Sequence, residues 1–129
     1  MKPVYNFQRR LMNDIDLIYN NSFGLAFQWK RDNGHNHNKV QLVFRDTGLF
    51  VTKEELLQFS KNIRRSIKHY QMCGSCPKKE TCRSILVESP VPQITFAMNT
   101  EELGNVQDLV EGTLFQLNLD NYIDSLFKD

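Results

Sequence analysis

Three cysteines and a histidine lie close together near the middle of this sequence, at a spacing that can hold a metal ion. His69, Cys73, Cys76 and Cys82 follow the pattern H-x3-C-x2-C-x5-C. Three thiolates and one imidazole form a ligand set for tetrahedral zinc. Cys73 and Cys76 flank a tight turn at Gly74, where glycine supplies the backbone freedom that such a turn requires. The spacing therefore predicts a structural zinc site with these four ligands.

The same cysteines are open to two other interpretations. Cys76 precedes Pro77, which suits the first position of a helix, and Lys78 and Lys79 follow. A helix N-terminus and nearby cations favour the thiolate, so Cys73 and Cys76 are candidates for a redox pair or thiol sensor. Thioredoxin-like pairs, however, lie between a strand and a helix of a parallel sheet, a pattern that this chain lacks. The third interpretation is a connecting segment that contains three reduced cysteines and no site.

The run CGSCPKKETC resembles the beginning of the iron–sulphur motif C-x2-C-x5-C-x3-C found in accessory domains of radical enzymes. That resemblance implies a fourth cysteine at position 86, where this chain has Leu86. The sequence contains three cysteines in all, so a cluster held by four thiolates is not favoured.

Opposite charges are concentrated in two segments of a chain whose net charge is close to zero. Residues 61–83 contain seven basic residues and one acidic residue, whereas residues 99–129 contain seven acidic residues and one basic residue. The basic segment is a candidate surface for nucleic acid, with the acidic segment shielding it or pairing with it in trans. The simpler interpretation is two solvated helix faces of opposite sign. His35 and His37 belong to a polar hairpin rather than a metal site.

Hydrophobic periodicity predicts the elements that must position these residues. Alternating apolar residues indicate strands, and Thr52 with Glu55 forms the capping box of a helix. Residues 4–19 fit neither period cleanly; we expect irregular structure or a short helix that enters a strand near 16–19. A break at 118–121 is expected to separate the last helix from a short terminal amphipathic piece. The predicted strands are 23–30, 40–45, 49–51, 85–88 and 93–98, and the predicted helices are 52–70 and 100–117.

The predicted order β-β-β-α-β-β-α indicates an α+β fold, with one mostly antiparallel sheet of about five strands and two helices packed on it. A chain of 129 residues is expected to form a single domain. No apolar run is long enough to cross a membrane, and the first residues do not resemble a signal peptide. An odd number of cysteines also suits a reducing compartment, so we expect a cytoplasmic protein.

Two longer runs carry a resemblance to a family. QLVFRDTGLFVTKEELLQF and SILVESPVPQITFAMNTEELGNVQDLV resemble a family of small bacterial α+β proteins of uncharacterised function. The resemblance covers about the last two-thirds of the chain, and its motifs are packing and capping patterns. It implies a small cytoplasmic α+β domain and implies no activity.

The sequence contains no glycine-rich phosphate loop, nucleophile elbow, paired acid/base carboxylates or H-E-x-x-H motif, so an enzyme is not favoured. We expect a binding or interaction module, monomeric or homodimeric, with a protein partner and no membrane association. The metal site at His69, Cys73, Cys76 and Cys82 would staple it. The alternatives are a thiol redox or sensor protein that uses Cys73 and Cys76, and nucleic-acid binding through residues 61–83.

Overall fold

The computed structural model describes residues 14–30, 39–73 and 85–126, without the side chains of 71–73 and 122–125. Within these ranges the chain forms six strands and two helices. Their bounds are β1 Ile15–Asn20, β2 Gly24–Trp29, β3 Lys39–Phe44, β4 Thr47–Thr52, α1 Lys53–Cys73, β5 Ile85–Glu88, β6 Thr95–Met98 and α2 Thr100–Leu126.

The strands form two antiparallel sheets, one of four strands in the order β1-β2-β3-β4 and one of two strands, β5 and β6. The α+β class and the order of the elements are as predicted, but the expected single sheet of about five strands is wrong. The strand expected near residues 16–19 is present as β1 and adds to the count of the first sheet; its pairing with β2 is interrupted by an irregularity between Leu17 and Tyr19. This irregularity shifts the alternation of side chains between the two faces of the strand. It explains why the sequence there fitted neither the helical period nor the two-residue period of a regular strand.

One face of the four-stranded sheet packs against the helices and forms the core. Val40, Leu42 and Phe44 on β3 are at most 1% exposed, and they alternate with less buried residues that point to the other face. Phe44 also meets Phe59 of α1 and Phe96 of β6 at ring-centroid distances of 6.5 and 5.2 Å. The core therefore joins both sheets to the helices.

Both helices begin with a capping box. The Thr52 amide donates to Glu55 Oε1 at 2.8 Å, and the Glu55 amide donates to Thr52 Oγ1 at 3.1 Å, which confirms the predicted box. At the start of α2, the Asn99 and Glu102 backbone amides donate to each other's side chains at 3.1 and 2.8 Å. The second box begins at Asn99, one residue before the predicted start of the helix.

Two side chains of α1 bind the backbone of β5 and the residue after it. Asn62, 5% exposed, donates from Nδ2 to the Glu88 carbonyl at 2.9 Å, and the Ser66 hydroxyl donates to the Leu86 carbonyl at 3.0 Å. Because the carbonyls on one edge of β5 accept these bonds, α1 covers part of that edge.

A partly buried ion pair links the turn between β3 and β4 to the second sheet. Arg45 has a φ of 52°, as a tight two-residue hairpin favours. Its Nη1 lies 3.3 Å from Glu102 Oε2 and 3.2 Å from the Ala97 carbonyl, to which it donates. Glu102 therefore caps α2 through one oxygen and binds the first sheet through the other.

The largest differences from the predicted boundaries are at the ends of the two helices. Helix α1 continues to Cys73 rather than ending at residue 70, and α2 continues without interruption to Leu126. The expected break at 118–121 is wrong, because polar residues at exposed positions do not interrupt a helix; Gln116 even donates to Asp120 one turn later, at 3.2 Å. The expectations for residues 4–13, for the polar loop at 31–38 and for most of the cysteine segment lie outside the described residues.

A candidate interaction surface on the last helix

The predicted metal ligands are only partly within the described residues. His69 is exposed near the end of α1, and Cys73 is the last residue of that helix. Because the two are four residues apart in one helix, their positions lie one turn apart on the same face. Cys76 and Cys82 lie outside the described residues. Among residues 14–30, 39–73 and 85–126, no three His, Cys, Asp or Glu side chains gather in a way that could hold a metal ion.

Two arginines in the described part of the basic segment pair with carboxylates of this chain. Lys61, Arg64, Arg65 and Lys68 are all exposed on α1. Arg64 Nε donates to Glu111 Oε2 of α2 at 2.9 Å, and Arg65 Nη1 lies 3.9 Å from a Glu88 carboxylate oxygen. The acidic helix therefore meets the basic helix in cis at Arg64, while all four basic side chains remain exposed, as expected for solvated helix faces.

A groove of about 470 Å³ lies along the hairpin of β1 and β2. Its described lining is mainly apolar, with Ile15, Leu17, Phe23 and Leu25 beside polar residues of the turn. The lining contains no carboxylate, histidine, lysine or cysteine, so it offers no acid, base or metal ligand among the described residues.

The hairpin turn is held against α2 by hydrogen bonds. Asn21 Oδ1 accepts from the Phe23 and Gly24 amides at 2.9 and 3.0 Å, which closes an Asx turn. Asn21 Nδ2 in turn donates to the Asn105 carbonyl at 3.0 Å and to Asp108 Oδ2 at 2.9 Å. Asn21 therefore stabilises the turn internally and also binds it to α2.

Tyr19 strengthens the same contact. Its hydroxyl donates to both oxygens of Asp108, at 3.0 and 3.1 Å, and its ring lies over Gly112. The hydrogen bond to Asp108 raises the pKa of Tyr19 above its ordinary value, and loss of solvent and the negative carboxylate act in the same direction. Asp108 is thus an internal partner of β1 rather than a free carboxylate.

Helix α2 is apolar on two opposite faces. Its inner face carries the buried residues Leu103, Val106, Leu109, Val110 and Leu114. Its outer face carries Phe115, Leu119 and Leu126, which are 67%, 39% and 63% exposed. We call these three residues the outer stripe. A turn of 3.6 residues places them within about 40° of one another around the helix axis, on a single line.

The outer stripe has uncharged flanks. Gln116 and Asn118 occupy the helix positions on its two sides, and Gly112 lies one turn before Phe115. Of the nearest carboxylates, Asp108 binds Tyr19 and Asn21, and Glu111 binds Arg64. The stripe is therefore apolar and bordered by neutral or neutralised groups.

The end of α2 carries the outer stripe away from the core. Leu114 is 8% exposed and Leu117 still packs against the core, whereas residues 118–121 and 126 are all exposed. The helix has 27 residues, about 40 Å in length. Exposed side chains therefore continue along α2 beyond Leu117 as far as the described residues extend.

The sequence prediction missed this surface because it divided the helix at residues 118–121. The signal was present in the spacing: Phe115, Leu119 and Leu126 are separated by four and seven residues, as in a helix that pairs with another helix. If residues 100–126 are treated as one helix, the second apolar line can be recognised in the sequence.

The described residues define an α+β fold with two antiparallel sheets, two helices and an exposed apolar line on the second helix. Comparisons with protein-family models, curated proteins and solved structures find no match for the chain. In the part of the chain that the structure describes, neither helix is long and apolar enough to cross a membrane.

Proposed function

We propose that this chain is an interaction module that binds a protein partner through the outer stripe of α2. The observation that carries the proposal is the exposure of Phe115, Leu119 and Leu126 on one line of the helix. Exposed apolar surface of this kind, bordered by polar residues, is typical of protein–protein contacts. An amphipathic helix face recognises a partner through anchors spaced at one and two turns, as these three are.

Position-specific photo-cross-linking in cells tests the proposal. A photoreactive amino acid at position 119 should give a discrete adduct that mass spectrometry identifies as protein. The same probe at position 86 is the control, because Leu86 is 66% exposed but lies on β5, away from the stripe. No adduct at 119 beyond that at 86 would contradict the proposal.

A zinc site at His69, Cys73, Cys76 and Cys82 remains our proposal for the cysteine segment. What supports it is the continuity of α1 through Cys73, which puts His69 and Cys73 on successive turns of one face. Zinc would there close the segment as a structural staple. Protein purified without a histidine tag should contain about one zinc per chain, and Cys76→Ser should lose it.

The same preparation distinguishes a redox pair from a metal site. A redox pair predicts no stoichiometric metal, rapid alkylation of one thiol near neutral pH, and a Cys73–Cys76 bond under mild oxidant. If metal is absent and all three thiols react slowly, neither proposal holds.

Nucleic-acid binding is the weaker proposal, because Arg64 and Arg65 already pair with carboxylates of this chain. We expect no shift of DNA or RNA in a gel even at low salt. Binding that falls steeply between about 50 and 200 mM salt would instead support it, because phosphate contacts release counterions.

A further inference from the structure

We propose that residues 4–13 form an amphipathic helix that packs across the outer face of the four-stranded sheet, the face turned away from α1 and α2. The occupant of this apolar face is thus a segment of the same chain. Two buried side chains outside the core, the composition of the remaining segments and the conformation of the residue before β1 support this packing. The outer stripe of α2 plays no part in it.

The outer face of the sheet is apolar. Gln41 points to this face, because it alternates along β3 with the core residues Val40 and Leu42. Residues directly opposite each other in an antiparallel pair share a face, so Phe27, the partner of Gln41, also points outward. By the same register and alternation, the outer face carries Ile15, Leu17, Phe27, Trp29, Val43 and Phe50.

Two side chains on the outer face are buried although the core lies on the other side of the sheet. Phe27 is 3% exposed and Ile15 is 8% exposed, and neither belongs to the cluster of buried residues that forms the core. The Trp29 ring meets the Phe27 ring edge-on at a centroid distance of 5.1 Å, which covers one side of it. A side chain on an uncovered sheet face keeps its outer end in water. Because α1 and α2 pack on the core face, another layer of the chain must cover Phe27.

The composition of the chain outside the described residues indicates which segment supplies this layer. Residues 31–38 and 74–84 read RDNGHNHN and GSCPKKETCRS, and they contain no Val, Leu, Ile, Met, Phe, Tyr or Trp. Residues 127–129 contain a single apolar side chain. Residues 1–13, in contrast, read MKPVYNFQRRLMN. This segment can therefore bury several apolar side chains against the sheet, and the other three cannot.

The spacing within that segment suits a helix with one apolar face. At 100° per residue, Val4, Phe7 and Leu11 fall within about 60° of one another around the helix axis. Asn6 and Arg9 fall on the opposite side of the axis. Such a helix can bury its apolar side chains against the sheet while its polar side chains remain in water.

The described chain brings this segment to the outer face at the edge strand β1. Asp14, the first described residue, is in α-helical conformation directly before β1. Its carbonyl accepts a hydrogen bond from the Lys30 amide at 2.9 Å, which fixes the entry point beside Ile15 and Trp29. A helix over residues 4–13 is about 15 Å long, and the outermost of four strands lie about 14 Å apart. The segment therefore has the length to cross from β1 to β4.

Trp29 provides a direct test, because it is the single tryptophan of the chain and lies on the outer face beside Phe27. In the purified full chain, the double variant Phe7→Gln, Leu11→Gln should shift Trp29 fluorescence to longer wavelength and increase its quenching by acrylamide. Because the core lies on the other face, far-ultraviolet circular dichroism should show that α1 and α2 are retained. Unchanged emission and quenching of Trp29 in the double variant would overturn the proposal.

The chain offers a matched control for that variant. Phe115→Gln with Leu119→Gln replaces the same two residue types at exposed positions on α2. The emission and quenching of Trp29 should then match those of the native chain. A shift in the control as large as that of the double variant would overturn the proposal.

A photoreactive amino acid in place of Phe7 identifies the surface that the segment contacts, and it decides the matter if the double variant fails to fold. In the purified full chain, the probe should form an intramolecular adduct with β2, β3 or β4. An adduct elsewhere in the chain, an adduct with a second copy, or no adduct would overturn the proposal. None of these results bears on the cross-linking expected at position 119.

Discussion

Replacement by alanine should have opposite effects on stability at the two glycines of α2. Alanine is favoured over glycine within a helix by about 1 kcal/mol. At Gly104 an added Cβ meets nothing within 4 Å, so Gly104→Ala should stabilise the protein by about that amount. At Gly112 the added Cβ would overlap carbons of the Tyr19 ring. The Tyr19 ring would have to move, which would weaken the hydrogen bonds from its hydroxyl to Asp108.

The magnitudes decide the sign at Gly112. Forcing an extra methyl into an occupied contact costs about 1–3 kcal/mol, which offsets or exceeds the ~1 kcal/mol gained in helix propensity. We therefore expect Gly112→Ala to be neutral or destabilising by up to about 2 kcal/mol. The two variants should differ by about 1–3 kcal/mol, or several degrees in melting temperature for a domain of this size.

Urea denaturation followed by far-ultraviolet circular dichroism measures both variants, provided that unfolding is two-state. The cause can be isolated with a double-mutant cycle. In a Tyr19→Ala background the ring is absent, so Gly112→Ala should then stabilise the protein about as much as Gly104→Ala does. If Gly112→Ala is already stabilising in the parent chain, the contact between Tyr19 and α2 is not as described and the reasoning is refuted.

Two further predictions concern hydrogen-bonded side chains. Ultraviolet difference titration against Tyr19→Phe should place the pKa of Tyr19 above the ordinary value near 10, and Asp108→Asn should lower it. Since the pKa of Tyr19 is raised in the folded state, the stability contributed by its hydrogen bond to Asp108 is fully present below the pKa of the unfolded state. That stability is lost as the pH rises through the pKa of the folded state. A Tyr19 pKa at or below 10 would contradict this reasoning. Glu102→Ala should destabilise by about 1–3 kcal/mol in urea denaturation, because it removes the cap to Asn99 and leaves Arg45 without its carboxylate. Glu102→Gln, which keeps an oxygen for the cap but loses the charge, should cost less; equal losses in the two variants would argue against a role for the cap, and no loss in Glu102→Gln would argue against a role for the ion pair.

Local sequence signals determined the elements that could be predicted. The capping box at Thr52 and Glu55 and the alternation through Val40, Leu42 and Phe44 depend on residues a few positions apart, and both are present in the structure. The number of sheets was not accessible in this way. It depends on contacts such as that of Arg45 with the Ala97 carbonyl, between residues 52 positions apart.

The candidate interaction surface was also not predictable from local sequence signals. The cysteine pattern drew attention because thiols carry distinctive chemistry, whereas Phe115 and Leu119 are residue types that normally lie in a core. A helical pattern alone does not distinguish an inner apolar line from an outer one when a helix carries both. Only the packing of Leu109 and Val110 against the sheets shows which line is left exposed.

The acidity of α2 therefore has a structural explanation that separates it from the proposed binding surface. Each carboxylate in its first half that lies near another element is used within the chain: Glu102 binds Arg45, Asp108 binds Tyr19 and Asn21, and Glu111 binds Arg64. These contacts fix the helix to the β3–β4 turn, to the β1–β2 hairpin and to α1. These contacts hold the first half of α2 in place, and the continuous helix sets the direction of its second half. A short apolar line can bind specifically only when it is presented in this way, because little affinity is then spent on ordering it.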